Sequence, residues 1–235
     1  MKKIMAISAL ALASLGSAHA ATVSFSDAII TTATNWGLNP TNTGGLNPQV
    51  FLSVAQFDAS LGTLQSVKID FGATVDGSVR VESMDAAPSI VTTAVRADVG
   101  LDLSALAVSD VILLGVGDSL TSSLSAFDGA IDFAGTSGFG PTALFGTDAG
   151  FRTTSSALDL AFFTGLGMVS FEASATGRST ATGAGNLITQ FNTNAGAQLS
   201  VTYTYAANNI PEPTSLALLG MGLVAFGLGR RKKSA

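Results

Sequence analysis

The sequence predicts an all-β body, a β-sandwich or jelly-roll-like single domain, flanked by an N-terminal signal-peptide helix and a C-terminal hydrophobic helix. Three observations predict it. Apolar residues between 22 and 205 recur with a period of two rather than 3.6. Gly, Asp, Asn and Pro interrupt these runs at short intervals, as at Asp76-Gly77 and Asp128-Gly129. Each end carries a short apolar run beside a basic cluster.

From the N terminus, Met1-Lys2-Lys3 is a basic stretch, and residues 4–15 are apolar except for Ser8 and Ser14. Ala18-His19-Ala20 then places small side chains at the two positions a signal peptidase requires, so cleavage is expected between Ala20 and Ala21. The alternative is a retained membrane helix. It is disfavoured because the run is too short to span a bilayer comfortably and a cleavage site follows it. The expected organisation is a signal peptide over 1–20, a β body over 21–206, a linker over 207–210 and a sorting segment over 211–235.

Within the body, Val67, Ile69 and Phe71 alternate with Ser66, Lys68 and Asp70. Val79 and Val81 alternate with Arg80 and Glu82, and Val91 to Val99 repeat the pattern around Thr92, Arg96 and Asp98. Val169, Phe171 and Ala173, then Leu199, Val201, Tyr203 and Tyr205, close the series. Each run presents an apolar face and a Ser/Thr or charged face, as half-buried strands do. Residues 108–116 are nearly continuously apolar and are expected as a strand buried on both faces. Residues 158–163 fit a strand or one helical turn, and 35–48 form a loop rich in Asn, Thr, Gly and Pro. Trp36, in that loop, is either a buried anchor, the favoured reading, or an exposed platform for glycan contact.

Only 11% of residues are charged, well below the roughly 25% of ordinary globular domains, and the mean hydropathy is +0.46. Ser and Thr therefore supply most of the polar surface. Six of the eleven bases lie at the termini, so residues 21–210 hold five bases against fifteen acids, a net charge of −10. Such a body has no basic footprint for nucleic acid and repels anionic lipid. There is no Cys, and the single His, His19, lies in the segment expected to be removed. Thiol nucleophiles, His-dependent triads, Cys/His zinc sites and disulfides are thereby excluded from the mature body. No cofactor is expected. Calcium suits Asp-rich loops on an acidic extracellular sheet, although the EF-hand order of ligands is absent. Asp128 with Asp132, and Asp98, Asp102 and Asp110, lie close in sequence, but nothing marks a pair facing one cleft as a glycosidase needs. Phosphate-binding and dinucleotide-binding glycine motifs are absent from the sequence.

At the C-terminal end, Pro211-Glu212-Pro213 precedes the uncharged residues 214–229, which are followed by Arg230-Arg231-Lys232-Lys233. As a helix the apolar stretch rises about 24 Å, a little short of a hydrocarbon core of about 30 Å. The basic cluster after it orients the body outside and the tail inside. A tripeptide, an apolar helix and a basic stop in this order resemble the PEP-CTERM sorting signal of Gram-negative bacteria. The resemblance implies recognition and cleavage by a membrane-embedded exosortase, with the tail inserted only transiently. The rival reading, a permanent anchor, is weakened by a span of marginal length.

A second resemblance covers the body. Gln56-Phe57-Asp58-Ala59-Ser60-Leu61-Gly62-Thr63-Leu64-Gln65-Ser66-Val67 resembles the choice-of-anchor E domain, as do Ala126-Phe127-Asp128-Gly129-Ala130-Ile131-Asp132-Phe133, residues 183–191 and Val201-Thr202-Tyr203-Thr204-Tyr205. It implies a surface-sorted module with no known catalytic chemistry. The same stretch has a purely structural account: Phe57, Leu61, Leu64 and Val67 fill a core around a turn that Asp58 and Ser60 stabilise through backbone N–H groups, with Gly62 at positive φ. The leading expectation is a non-enzymatic surface or extracellular-matrix component, associated with exopolysaccharide or biofilm and processed by signal peptidase and an exosortase. A carbohydrate-binding module and, less favoured, a matrix-polymer hydrolase are the alternatives.

Overall fold

A computed structural model describes residues 20–37, 49–107 and 110–208. The described residues form two packed antiparallel sheets. Sheet A has the order β1-β9-β3-β6, built from β1 (Ala20–Ala33), β9 (Leu187–Ala207), β3 (Gly62–Ser83) and β6 (Gly138–Thr154). Sheet B has the order β2-β7-β4-β5, built from β2 (Val50–Ala55), β7 (Met168–Gly177), β4 (Ser89–Asp102) and β5 (Val111–Leu124), and the short β8 (Thr180–Thr182) pairs with β4. A 3-10 turn (Ala59–Leu61) precedes β3, and one helix, α1 (Ala157–Phe163), follows β6.

Period-two patterning explains the sheets. Val67, Ile69, Phe71, Val75, Val79 and Val81 turn inward from β3, and Leu199, Val201 and Tyr203 from β9. Val91, Val95, Val99 and Leu101 of β4 meet them with Val169 and Phe171 of β7. Burying each such side chain contributes about 1.5–3 kcal/mol, the term that drives the two sheets together. Tyr203 lies at the centre of an aromatic group, its ring centroid 6.0 Å from Phe25 and 5.9 Å from both Phe57 and Phe163. Its hydroxyl donates to the Ala55 carbonyl at 2.8 Å, tying β9 of one sheet to β2 of the other. The sheets also meet at both sides. Ser53 N donates to Asp27 Oδ2 at 2.8 Å between β2 and β1, and backbone meets backbone where Gly146 of β6 rests on Gly117 of β5.

Three expectations are corrected, and an open alternative at 158–163 is decided. Asp76-Gly77 is not a hairpin turn: β3 runs straight through it over 22 residues. Gly77 serves a close approach instead, since a Cβ there would lie 2.7 Å from Val95 Cγ1 and collide with the Asn192 carbonyl. The 108–116 stretch is not buried on both faces. Its residues 108–109 lie outside the described residues, and β5 starts at Val111, exposing Val111 and Leu113 while burying Ile112, Leu114 and Val116. Among the described residues no layer covers the outer face of sheet B there, so apolar composition misleads about burial. Residues 158–163 resolve to helix: Leu160 N donates to Ser156 O, and Asp159 turns in to accept from Thr154 Oγ1 at 2.6 Å and Ala107 N at 2.7 Å. Leu61 is exposed rather than core, whereas Phe57, Leu64 and Val67 are buried as the turn reading requires.

Candidate functional site

Two regions collect the features that bear on function: the pole where the chain leaves the body, and the outer face of sheet A. At the pole, β9 ends between the starts of β1 and β3, with Ala206 opposite Ala20 and Ala207 opposite Gly62. Asn208 is fastened beside the 3-10 turn, its N donating to Leu61 O at 3.2 Å and its Nδ2 to Ser60 O at 3.0 Å. Asp58 caps that turn by accepting from Ser60 N at 2.8 Å. The backbone and hydroxyl of Ser60 hold the Asp58 carboxyl below its ordinary value of 3.8. Gly62 has the positive φ, 155°, expected of it. Phe57 is bracketed by the segment after α1, donating to Phe163 O and accepting from Gly165 N. A shallow depression between these parts is lined by Ala59, Thr63, Leu160, Ala161, Thr164 and Asn208.

Of the expected processing residues, Ala20 and Ala21 lie in the first positions of β1, paired with Ala206 and Tyr205. Ala18, the sorting motif Pro211, Glu212 and Pro213, and the basic stop Arg230, Arg231, Lys232 and Lys233 lie outside the described residues, as does most of the 35–48 loop. The bond after Ala20 thus lies within a paired strand, and is free of its β9 partner only before β1 docks.

Trp36 is 5% exposed and belongs to the core cluster. Its backbone exchanges hydrogen bonds with Ala175, at 3.2 Å from Trp36 N to Ala175 O and 2.9 Å from Ala175 N to Trp36 O. A stacking platform needs an open ring face, so the exposed-platform reading is corrected: Trp36 anchors its loop against β7.

The outer face of sheet A is hydroxyl-rich. Register aligns Ser24, Thr202, Lys68 and Thr153 in one row, and Ser26, Ser200, Asp70 and Phe151 in the next. Rows built around Gln198, Thr74 and Asn194 continue it, the last ending at Phe145. The Ser24 and Thr202 hydroxyls are hydrogen-bonded at 2.8 Å. Lys68 and Asp70 pair with each other, and Lys68 Nζ sits 5.1 Å from the Phe151 ring centroid, while the exposed Asp76 stands between Asn194 and Phe145 in the last row. Phe145 and Phe151 are 60% and 59% exposed. Six residues apart on one unbroken stretch of β6 pairing, they share a face about 20 Å apart. Sequence reasoning missed both. Their alternation with Leu144, Gly146, Asp148 and Gly150 puts the larger residues on the outside, because the inner side of β6 must be small where β5 approaches.

Several carboxylates close turns. Asp102, Asp128 and Asp132 accept from Ser104 N, Ala130 N and Ala134 N, and Asp110 pairs with Arg152 at 2.7 Å, which lowers its pKa. Glu82, fully buried, accepts from Ser137 Oγ at 2.6 Å and Phe133 N at 2.8 Å, holding the 125–137 loop. Asp128 and Asp132 thus sit on one exposed loop. Among the described residues no three metal-ligating side chains converge.

Residues 209–233 match the family model described as the PEP-CTERM protein-sorting motif. That motif implies an exported protein sorted to the cell surface and processed by an exosortase. No curated protein matches this chain. Among solved structures, the Gx strain of infectious bursal disease virus aligns at 11% identity and a TM-score of 0.12, over 86% of this chain and 48% of that one. The Gt strain aligns at 10% and 0.10, over 87% and 47%. The chain thus spans about half the length of those proteins, and likenesses at such scores carry no structural argument.

Proposed function

We propose that this exported, exosortase-sorted chain is a non-enzymatic surface or extracellular-matrix component whose body holds extracellular polysaccharide on the outer face of sheet A. The observation that carries this reading is the placement of Phe145 and Phe151 beside rows of Ser, Thr, Gln and Asn on one exposed face. Aromatic rings stack on the C–H faces of sugars while hydroxyls and amides exchange hydrogen bonds with sugar hydroxyls. A separation of about 20 Å suits an extended chain of several sugar units rather than a single sugar. Low charge on the face suits a neutral polymer.

Two further readings belong with this one. A jelly-roll body is supported by the path of the chain: with β8 set aside, consecutive described strands cross between the sheets at every step except the β4–β5 hairpin. A choice-of-anchor E identity rests on the resemblance carried by residues 56–67, 126–133, 183–191 and 201–205. An N-terminal signal peptide and a biofilm setting complete the proposal.

The test is equilibrium binding of purified neutral extracellular polysaccharide to the full chain in detergent. Phe145→Ser combined with Phe151→Ser is expected to weaken binding at least tenfold with folding intact. Unchanged binding by the double variant would overturn the sheet-face assignment, and depolymerisation of the glycan by the chain would overturn the non-enzymatic reading.

A further inference from the structure

The pole around Asn208 is unusual for where its apolar side chains lie. Leu61 is on the 3-10 turn, Leu158 on α1, and Leu166 and Met168 on the segment between α1 and β7, and all four are exposed. Leu166 and Leu158, at 88% and 75%, rank among the most exposed large apolar residues described. Backbone bonds hold these segments at one end of the sandwich: Gly165 N to Phe57 O, Gln56 N to Gly167 O, and Asn208 N to Leu61 O. Of the two acids on the same segments, Asp159 is buried, and Asp58 is a carboxylate engaged in capping the 3-10 turn.

The chain itself indicates what covers this end. Five residues, 209–213, separate Asn208 from the uncharged stretch 214–229, a reach of about 20 Å at full extension. The other apolar segment, residues 4–15, joins the body at Ala20, which is paired with Ala206 at the same pole. Both hydrophobic ends of the precursor therefore emerge from one end of the body. A tether this short keeps that end at high effective concentration beside any bilayer the tail enters. Exposed Leu and Met side chains then gain by leaving water for the interface.

We propose that this pole is a bilayer-contact surface: Leu61, Leu158, Leu166 and Met168 rest on the lipid interface while residues 214–229 are inserted, holding the sandwich upright with Pro211-Glu212-Pro213 at the membrane surface. This rests on insertion of the tail. It explains why the apolar side chains cluster at the exit, where an acidic body alone would be repelled by anionic lipid.

The absence of Cys allows single-site labelling of the full chain in phosphatidylethanolamine–phosphatidylglycerol vesicles. A fluorophore on Ala59→Cys or Ala161→Cys reports the pole, on Ala86→Cys the opposite end, and on Ala225→Cys the tail; brominated acyl chains serve as quencher. Quenching is expected at 225, 161 and 59 but not at 86. Leu158→Ser with Leu166→Ser is expected to remove at least half of it at 161 while leaving 225 unchanged. Quenching at 225 with labels at 59 and 161 no more quenched than at 86 would overturn the bilayer contact and point to a protein partner. A tail label that is itself unquenched would overturn the insertion on which the contact depends.

Discussion

Replacing Tyr203 with Phe removes one atom from the centre of the body. The ring is fully buried, so its contacts with Phe25, Phe57 and Phe163 survive, and the loss is the 2.8 Å hydrogen bond to the Ala55 carbonyl. A buried acceptor left without its donor costs about 1–2 kcal/mol. At about 2–4 °C per kcal/mol for a domain of this size, Tm should fall roughly 2–8 °C at pH 7. Burial also pushes the Tyr203 hydroxyl well above its ordinary value of 10.0. A raised folded-state pKa means that the contribution is complete below pH 10 and is lost as the unfolded chain ionises above it. Each pH unit past 10 costs the wild type about 1.4 kcal/mol that Tyr203→Phe does not lose. The two proteins should therefore converge in stability near pH 11. Guanidinium unfolding of the full chain in detergent, followed by near-ultraviolet circular dichroism from pH 7 to 11, measures both effects. Equal stability at pH 7, or curves that stay parallel above pH 10, would refute the buried-hydroxyl tie between the sheets.

Other perturbations separate the remaining parts. Asp58→Asn should flatten the acid limb of the stability curve below about pH 4, because a depressed carboxyl contributes above its unfolded pKa of 3.8 and loses that contribution as pH falls through the folded value; acid titration of unfolding checks it. Glu82→Gln replaces one of two buried acceptor oxygens with an NH2 donor facing Ser137 Oγ or Phe133 N, both donors, and should cost about 1–3 kcal/mol, with hydrogen exchange rising first in residues 125–137. Phe145→Ser and Phe151→Ser, on an exposed face, should each change stability by under about 0.5 kcal/mol in the same denaturant assay.

Strand patterning was legible wherever one face of a strand meets the core and the other meets water, as in Val67-Lys68-Ile69-Asp70-Phe71. It failed where tertiary packing changes the rule. Gly77 resembles a turn residue because its role, a backbone approach from Asn192, is invisible in local sequence. Leu113 looks like core because its hydrophobicity says nothing about whether another layer covers sheet B. Phe145 and Phe151 were hidden by the small inner residues of β6, and Trp36 was ambiguous until the contact with Ala175 placed it. The sorting motif, by contrast, depends on local order along the chain and not on packing, so its residues could be read directly.

The most direct measurement is mass spectrometry of the C terminus of the cell-surface protein, in cells with and without the processing protease. Sorting by an exosortase predicts that the surface protein lacks Arg230, Arg231, Lys232 and Lys233 when the protease is present and retains them in the membrane fraction when it is absent. A released protein that still carries those four residues in the presence of the protease would contradict it.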